Sequence, residues 1–119
     1  MLRSDYGSTW NGEVIIKNVH LKNSSSGATV FGASWYNHYF GYTCYLPQNI
    51  TIDNLTLDIA GIVYIFPGLK NDIDKATIGG NQNNNPVVLP QVINVMNMKS
   101  QVIVSSNEAL FKDVTVNKS

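Results

Sequence analysis

The sequence predicts an all-β chain wound as a solenoid of about three to four coils. Three observations lead there. Helical periodicity is nearly absent, and short β-branched alternations bounded by Gly, Asn, Ser or Pro take its place. Only 13% of residues are charged, the polar share being carried by Asn, Ser and Thr, which suit turn-rich β-structure. Above all, one alternation recurs. Val14–Leu21 (VIIKNVHL) and Ile50–Leu57 (ITIDNLTL) each read as two short apolar strands separated by a polar pair that ends in Asn.

The same frame fits Ala109–Val116, with Asp113 in place of Asn, and a weaker copy spans Ile93–Met98. The aligned positions are Asn18, Asn54, Asn97 and Asp113, separated by 36, 43 and 16 residues. Self-similarity at periods of roughly 20–50 residues marks stacked repeats, which tolerate insertions where loops leave the stack. The last spacing is short for a coil of three strands. A third strand follows the first three units: Ala28–Phe31, Ile62–Phe66 and Gln101–Val104. Each coil then runs strand, Asn-bearing corner, strand, short turn, strand and variable corner. An amide both donates and accepts, so Asn18, Asn54 and Asn97 are expected to stack inward as a ladder. Asp113, which only accepts when ionised, suits the end of that ladder. The simpler alternative is that these asparagines occupy ordinary turns.

The unit NITIDNLTLD (Asn49–Asp58) and its relatives resemble the coils of right-handed parallel β-helix proteins, the pectin-lyase-like superfamily. RSDYGSTWNGEVIIKNV (residues 3–19) and GYTCYLPQNITIDNL (residues 41–55) are similar to segments of phage and prophage tail proteins and of bacterial surface β-helix proteins. The resemblance implies a right-handed parallel β-helix over most of the chain, an extracellular, cell-surface or virion location, and a carbohydrate groove built by loops at the variable corner. It implies no particular reaction.

Composition narrows the alternatives. At 119 residues the chain is one β-helix segment, and its start inside a coil suggests a longer natural chain, extended at least N-terminally. Uncovered coil edges on such a piece favour edge pairing or oligomerisation. Zero net charge argues against a nucleic-acid partner, and no basic cluster or apolar run points to a membrane. MLRSDYGS lacks the apolar core of a signal peptide. One cysteine, Cys44, excludes an internal disulfide and a Cys-rich metal site, and no cofactor is indicated. Its plain reading is a small buried hydrophobe; a nucleophile would need His38 or His20 as base, with no third orienting group evident.

Candidate function lies in two insertions. The first, Gly32–Gln48, is dense in aromatics: Trp35, Tyr36, Tyr39, Phe40, Tyr42 and Tyr45, with Asn37 and His38 among them. Aromatic faces with amide and hydroxyl tips stack on sugar rings, so Trp35, Tyr36, His38, Tyr39 and Tyr42 are the candidate carbohydrate-binding residues. The competing reading is a satellite hydrophobic cluster capping the stack. Trp10 divides the same way. The second insertion, Pro67–Pro90, holds Asp72 and Asp74, the candidate catalytic pair. Glycoside hydrolysis asks for two carboxylates about 5–9.5 Å apart. A calcium-dependent lyase would add a base such as Lys70 or Lys75, although a solvated mixed-charge loop explains the same residues. The tract GGNQNNNP (residues 79–86) reads as a polar loop tip.

Four N-x-[ST] sequons begin at Asn23, Asn49, Asn54 and Asn117. A ladder role for Asn54 makes its sequon accidental and leaves Asn49 open. The expected function is therefore a binding or structural module of a surface or phage-tail-type protein that contacts polysaccharide. The alternative is part of a glycoside hydrolase or polysaccharide lyase with an incomplete site in this chain, and a ligand-free spacer is the third reading.

Overall fold

The computed structural model describes residues 2–4, 9–22, 27–33, 44–67, 87–105 and 111–119. Among these residues the regular structure is ten strands and no helix. The first sheet joins β2 (Glu13–Leu21), β5 (Asn49–Leu57), β8 (Val92–Met96) and β10 (Thr115–Lys118) in that order. A second sheet joins β1 (Leu2–Ser4), β3 (Gly27–Ala33), β6 (Ile62–Ile65) and β9 (Gln101–Val104). A third, of two short strands, pairs β4 (Cys44–Tyr45) with β7 (Val87–Val88). Every pairing is parallel, and each sheet is visited in chain order. Parallel neighbours need long crossovers, so each sheet receives one strand per repeat rather than consecutive hairpin strands.

Alternation drives the first sheet. Val14 and Ile16 in β2, Ile50 and Ile52 in β5, and Ile93 and Val95 in β8 are buried, while their odd or even neighbours face outward. In register they form two apolar columns, Val14–Ile50–Ile93 and Ile16–Ile52–Val95. At Asn54 the parity resets: Asn54 is exposed and Leu55 is fully buried. The cause is a left-handed backbone, with φ 56° at Asn18, 57° at Asn54 and 54° at Asn97. Asn tolerates that region far better than a β-branched residue does.

The second sheet contributes Val63 and Ile65, also fully buried. β3 carries an extra residue relative to β6, since Thr29 pairs with Tyr64 and Phe31 with Ile65. This bulge lets the consecutive Val30 and Phe31 both reach the core. Gly27, at the start of β3, is where a Cβ would meet the carbonyl oxygen of Ile62 at 2.6 Å, so the close approach of the two strands demands glycine. After β6 and β9 the chain turns through left-handed Phe66 (φ 53°) and Ser105 (φ 46°). The strain at Phe66 is offset by complete burial of its ring between Phe31 and Phe111, at centroid distances of 5.6 and 6.1 Å.

Two expectations need correction. The repeat proposed over Ala109–Val116 is out of register: residues 111–113 form a turn, and it is Thr115 that pairs with Val92. Asp113 therefore stands before the strand and does not join the corner column. The insertions are also shorter than Gly32–Gln48 and Pro67–Pro90. Gly32 and Ala33 belong to β3, β4 and β7 make the third sheet, and Leu46, Pro47, Gln48 and Pro90 are buried. Gln48 locks this return, donating its side-chain amide to Leu46 O at 2.8 Å and Leu89 O at 3.0 Å.

Candidate functional site

The insertions are rooted in paired backbone. On the outgoing side, Phe31 pairs with Ile65, and Phe66 N–H donates to Phe31 O at 2.7 Å. On the returning side, Cys44 pairs with Val87, Tyr45 with Val88, and Leu46 N–H donates to Val88 O at 2.9 Å. Paired strands lie roughly 4.8 Å apart. The described residues before and after segments 34–43 and 68–86 are therefore paired with each other. The preceding repeat joins the returning root: Trp10 N–H donates to Tyr45 O at 2.8 Å, and Tyr45 N–H to Thr9 Oγ1 at 2.9 Å. Trp10, 47% exposed, joins that root through its backbone, and Tyr45 is half-buried.

The candidate residues Trp35, Tyr36, His38, Tyr39 and Tyr42 lie outside the described residues, as do Asn37, Phe40, Asp72, Asp74, Lys70 and Lys75. What is described is the frame that holds the ends of both segments together.

The corner column is exposed rather than inward-facing. Asn54 Nδ2 donates to Asn18 Oδ1 at 2.9 Å. Asn97 departs from the expected ladder and donates instead to Asp53 Oδ1 at 2.7 Å. A carboxylate is the stronger acceptor, and Asp53 stands one place from Asn54 on the same strand. Asp53 also lies 4.0 Å from Lys17 Nζ, an ion pair whose lysine is 61% exposed and which therefore contributes little. Asp53 is thus held between a cation and an amide, with no second carboxylate paired to it among the described residues.

A hydroxyl–imidazole pair joins two residues that the repeat alignment sets opposite each other, although the sequence assigns the pair no role. His20 Nδ1 and Thr56 Oγ1 are hydrogen-bonded at 2.7 Å, both on the outside of the first sheet. Among the described residues no carboxylate orients this imidazole, so the pair lacks the third member of a nucleophilic relay. A second amide bridge was also missed: Asn117 Nδ2 donates to Asn94 Oδ1 at 2.8 Å. Its signal in the sequence would have been the true register of β10. Among the described residues no group of three or more His, Cys, Asp or Glu side chains is placed to hold a metal ion, and no helix is long and apolar enough to cross a membrane.

Of the sequon asparagines, Asn54 and Asn117 both have their Nδ2 engaged, whereas Asn49 is exposed on the outer face of β5. Asn23 lies outside the described residues. Comparison of the chain with protein-family models, with curated proteins and with solved structures found no match.

Proposed function

We propose that this chain is a segment of a right-handed parallel β-helix that serves as a binding or structural module of a surface or phage-tail-type protein, contacting polysaccharide through its aromatic insertion. Support for the architecture comes from the strand wiring: among the described residues the chain alternates between the first two sheets, passes through the third at β4 and β7, and pairs in parallel throughout. Right-handed crossover between parallel strands is the general rule, in about 98% of cases. Support for the function rests on one observation, the shared root of segments 34–43 and 68–86. The described residues that flank the aromatic-rich segment pair with those that flank the polar one, before and after both. Sugar recognition asks for that combination of stacking faces and hydrogen-bonding tips.

The test is binding of the purified chain to a panel of bacterial surface polysaccharides, read by glycan array and tryptophan fluorescence. The expected outcome is retention on at least one polysaccharide, lost at least about tenfold in Trp35→Ala, a change equivalent to about 1.4 kcal/mol. Circular dichroism of the variant should stay unchanged. Retention that is equal in Trp35→Ala and wild type removes the aromatic insertion from the reading. Release of new reducing or unsaturated ends, abolished in Asp72→Asn or Asp74→Asn, makes the chain an enzyme instead.

A further inference from the structure

Asn11 and Gly12 form the one Asn-Gly step among the fifteen asparagines of the sequence. Both residues are exposed and lie immediately before β2. Among the described residues, neither the Asn11 carboxamide nor the Gly12 N–H has a hydrogen-bond partner. The Gly12 carbonyl, in contrast, is the acceptor for Gln48 N–H at 2.9 Å and Asn49 N–H at 3.4 Å. A free carboxamide, a free following N–H and a following residue without Cβ are what intramolecular attack of backbone on side chain requires. Every other asparagine precedes a residue that carries a Cβ, and several described ones have bonded side chains. Asn18, Asn54 and Asn97 precede the bulkier Val19, Leu55 and Met98, and the side chains of Asn54, Asn97 and Asn117 are already bonded.

We propose that Asn11 is a self-modification site, converting in the folded protein to isoaspartate and aspartate through a succinimide. The Gly12 amide gives its proton to hydroxide, and its nitrogen attacks Cγ of Asn11. The new N–Cγ bond closes the five-membered ring as the Cγ–Nδ2 bond breaks, Nδ2 taking a proton from the water just formed and leaving as ammonia, with hydroxide regenerated. Water then adds to one of the two ring carbonyls. Opening at the main-chain carbonyl leaves the chain running through Cβ and Cγ as isoaspartate, and opening at Cγ leaves aspartate. One water enters and one ammonia leaves, with no oxidant or cofactor.

The position gives the reaction a structural consequence. Isoaspartate adds one atom to the backbone immediately before Gly12, whose carbonyl holds the Gln48 and Asn49 amides at the junction of β2 and β5. Either product places a new carboxylate beside Glu13. The register that begins at the Glu13–Asn49 pair is therefore loosened at its first position by a slow, irreversible step.

The experiment ages the full chain in mildly alkaline buffer and follows every asparagine by peptide mass spectrometry, with electron-transfer fragmentation to separate isoaspartate from aspartate. Folded samples are compared with urea-unfolded ones. Asn11 should convert ahead of the other asparagines, with isoaspartate the larger product and a folded-state rate within about tenfold of the unfolded rate, a barrier difference below about 1.4 kcal/mol. Gly12→Ala should slow the step by at least about tenfold, a barrier increase of about 1.4 kcal/mol, without loss of folding. A Cβ at Gly12 makes only ordinary contacts, the nearest at 3.5 Å from Trp10 Nε1. Asn11→Gln, with its longer side chain, should leave residue 11 unmodified over the same interval. Folding-dependent protection beyond tenfold, or equal rates in Gly12→Ala and wild type, would overturn the proposal.

Discussion

At the scale of single residues, the asparagines of this chain act through backbone conformation before they act through hydrogen bonds. Asn18, Asn54 and Asn97 share left-handed φ values within a few degrees, yet their side chains follow different routes: Asn54 donates to Asn18, and Asn97 to Asp53. The conformational requirement is local and common to all three, whereas the bond depends on the nearest strong acceptor. This separates two substitutions at one position. Asn54→Val is expected to cost about 1–2 kcal/mol in backbone strain and about 1 kcal/mol for the lost bond. Asn54→Gly keeps the backbone comfortable and loses mainly the bond and some unfolded-state entropy. Urea unfolding should therefore rank wild type above Asn54→Gly above Asn54→Val. A Val variant as stable as the Gly variant would mean that the corner conformation is not what selects asparagine. The corner positions Asn18, Asn54 and Asn97 were legible in the sequence because the repeat frames them. The partner of Asn97 was not, because it depends on where Asp53 stands on the neighbouring strand.

At the scale of the strand, alternation determines which side chains carry stability. Ile52 is fully buried in the column between Ile16 and Val95, whereas Ile15, in the same sheet, is 60% exposed. Ile52→Ala should cost about 2–5 kcal/mol by leaving a cavity that its neighbours fill only in part. Ile15→Ala should remain within about 0.5 kcal/mol of wild type. Equal losses in chemical denaturation would contradict the assignment of inner and outer faces. Lys118 is instructive on the same column, taking the place after Val95 and donating from Nζ to Val102 O at 2.9 Å. The strands themselves were legible from β-branched alternation. The bulge in β3 was not, because two consecutive apolar residues, Val30 and Phe31, read equally well as a regular strand.

At the scale of the whole molecule, each strand draws its support from the neighbouring repeats rather than from its neighbours in sequence. β5 lies between β2 and β8, and β6 between β3 and β9, whereas β1 and β10 end their sheets. Opening free energies in native proteins run from near zero at fraying edges to the global value in the centre. Hydrogen exchange should therefore show the slowest amides in β5 and β6 and the fastest strand amides in β1 and β10. Uniform protection across all ten strands would show that the sheets open only as one unit. The parallel pairings of β3 with β6 and of β4 with β7 join described residues on either side of segments 34–43 and 68–86.

The all-β class, the polar corner asparagines and the apolar columns of β2, β5 and β8 were determined by the sequence alone. Each follows from short-range chemistry: side-chain alternation along a strand, and the tolerance of asparagine for left-handed backbone. Register was decided only by the tertiary structure. Ala109–Val116 looked like another copy of VIIKNVHL, yet a turn at residues 111–113 delays the strand until Thr115 meets Val92. A parallel strand finds its partner across a long crossover, so its register depends on the packing of Phe111 against Phe66 and on the length of the connection before it. Neither quantity is written in the eight residues that appear to repeat.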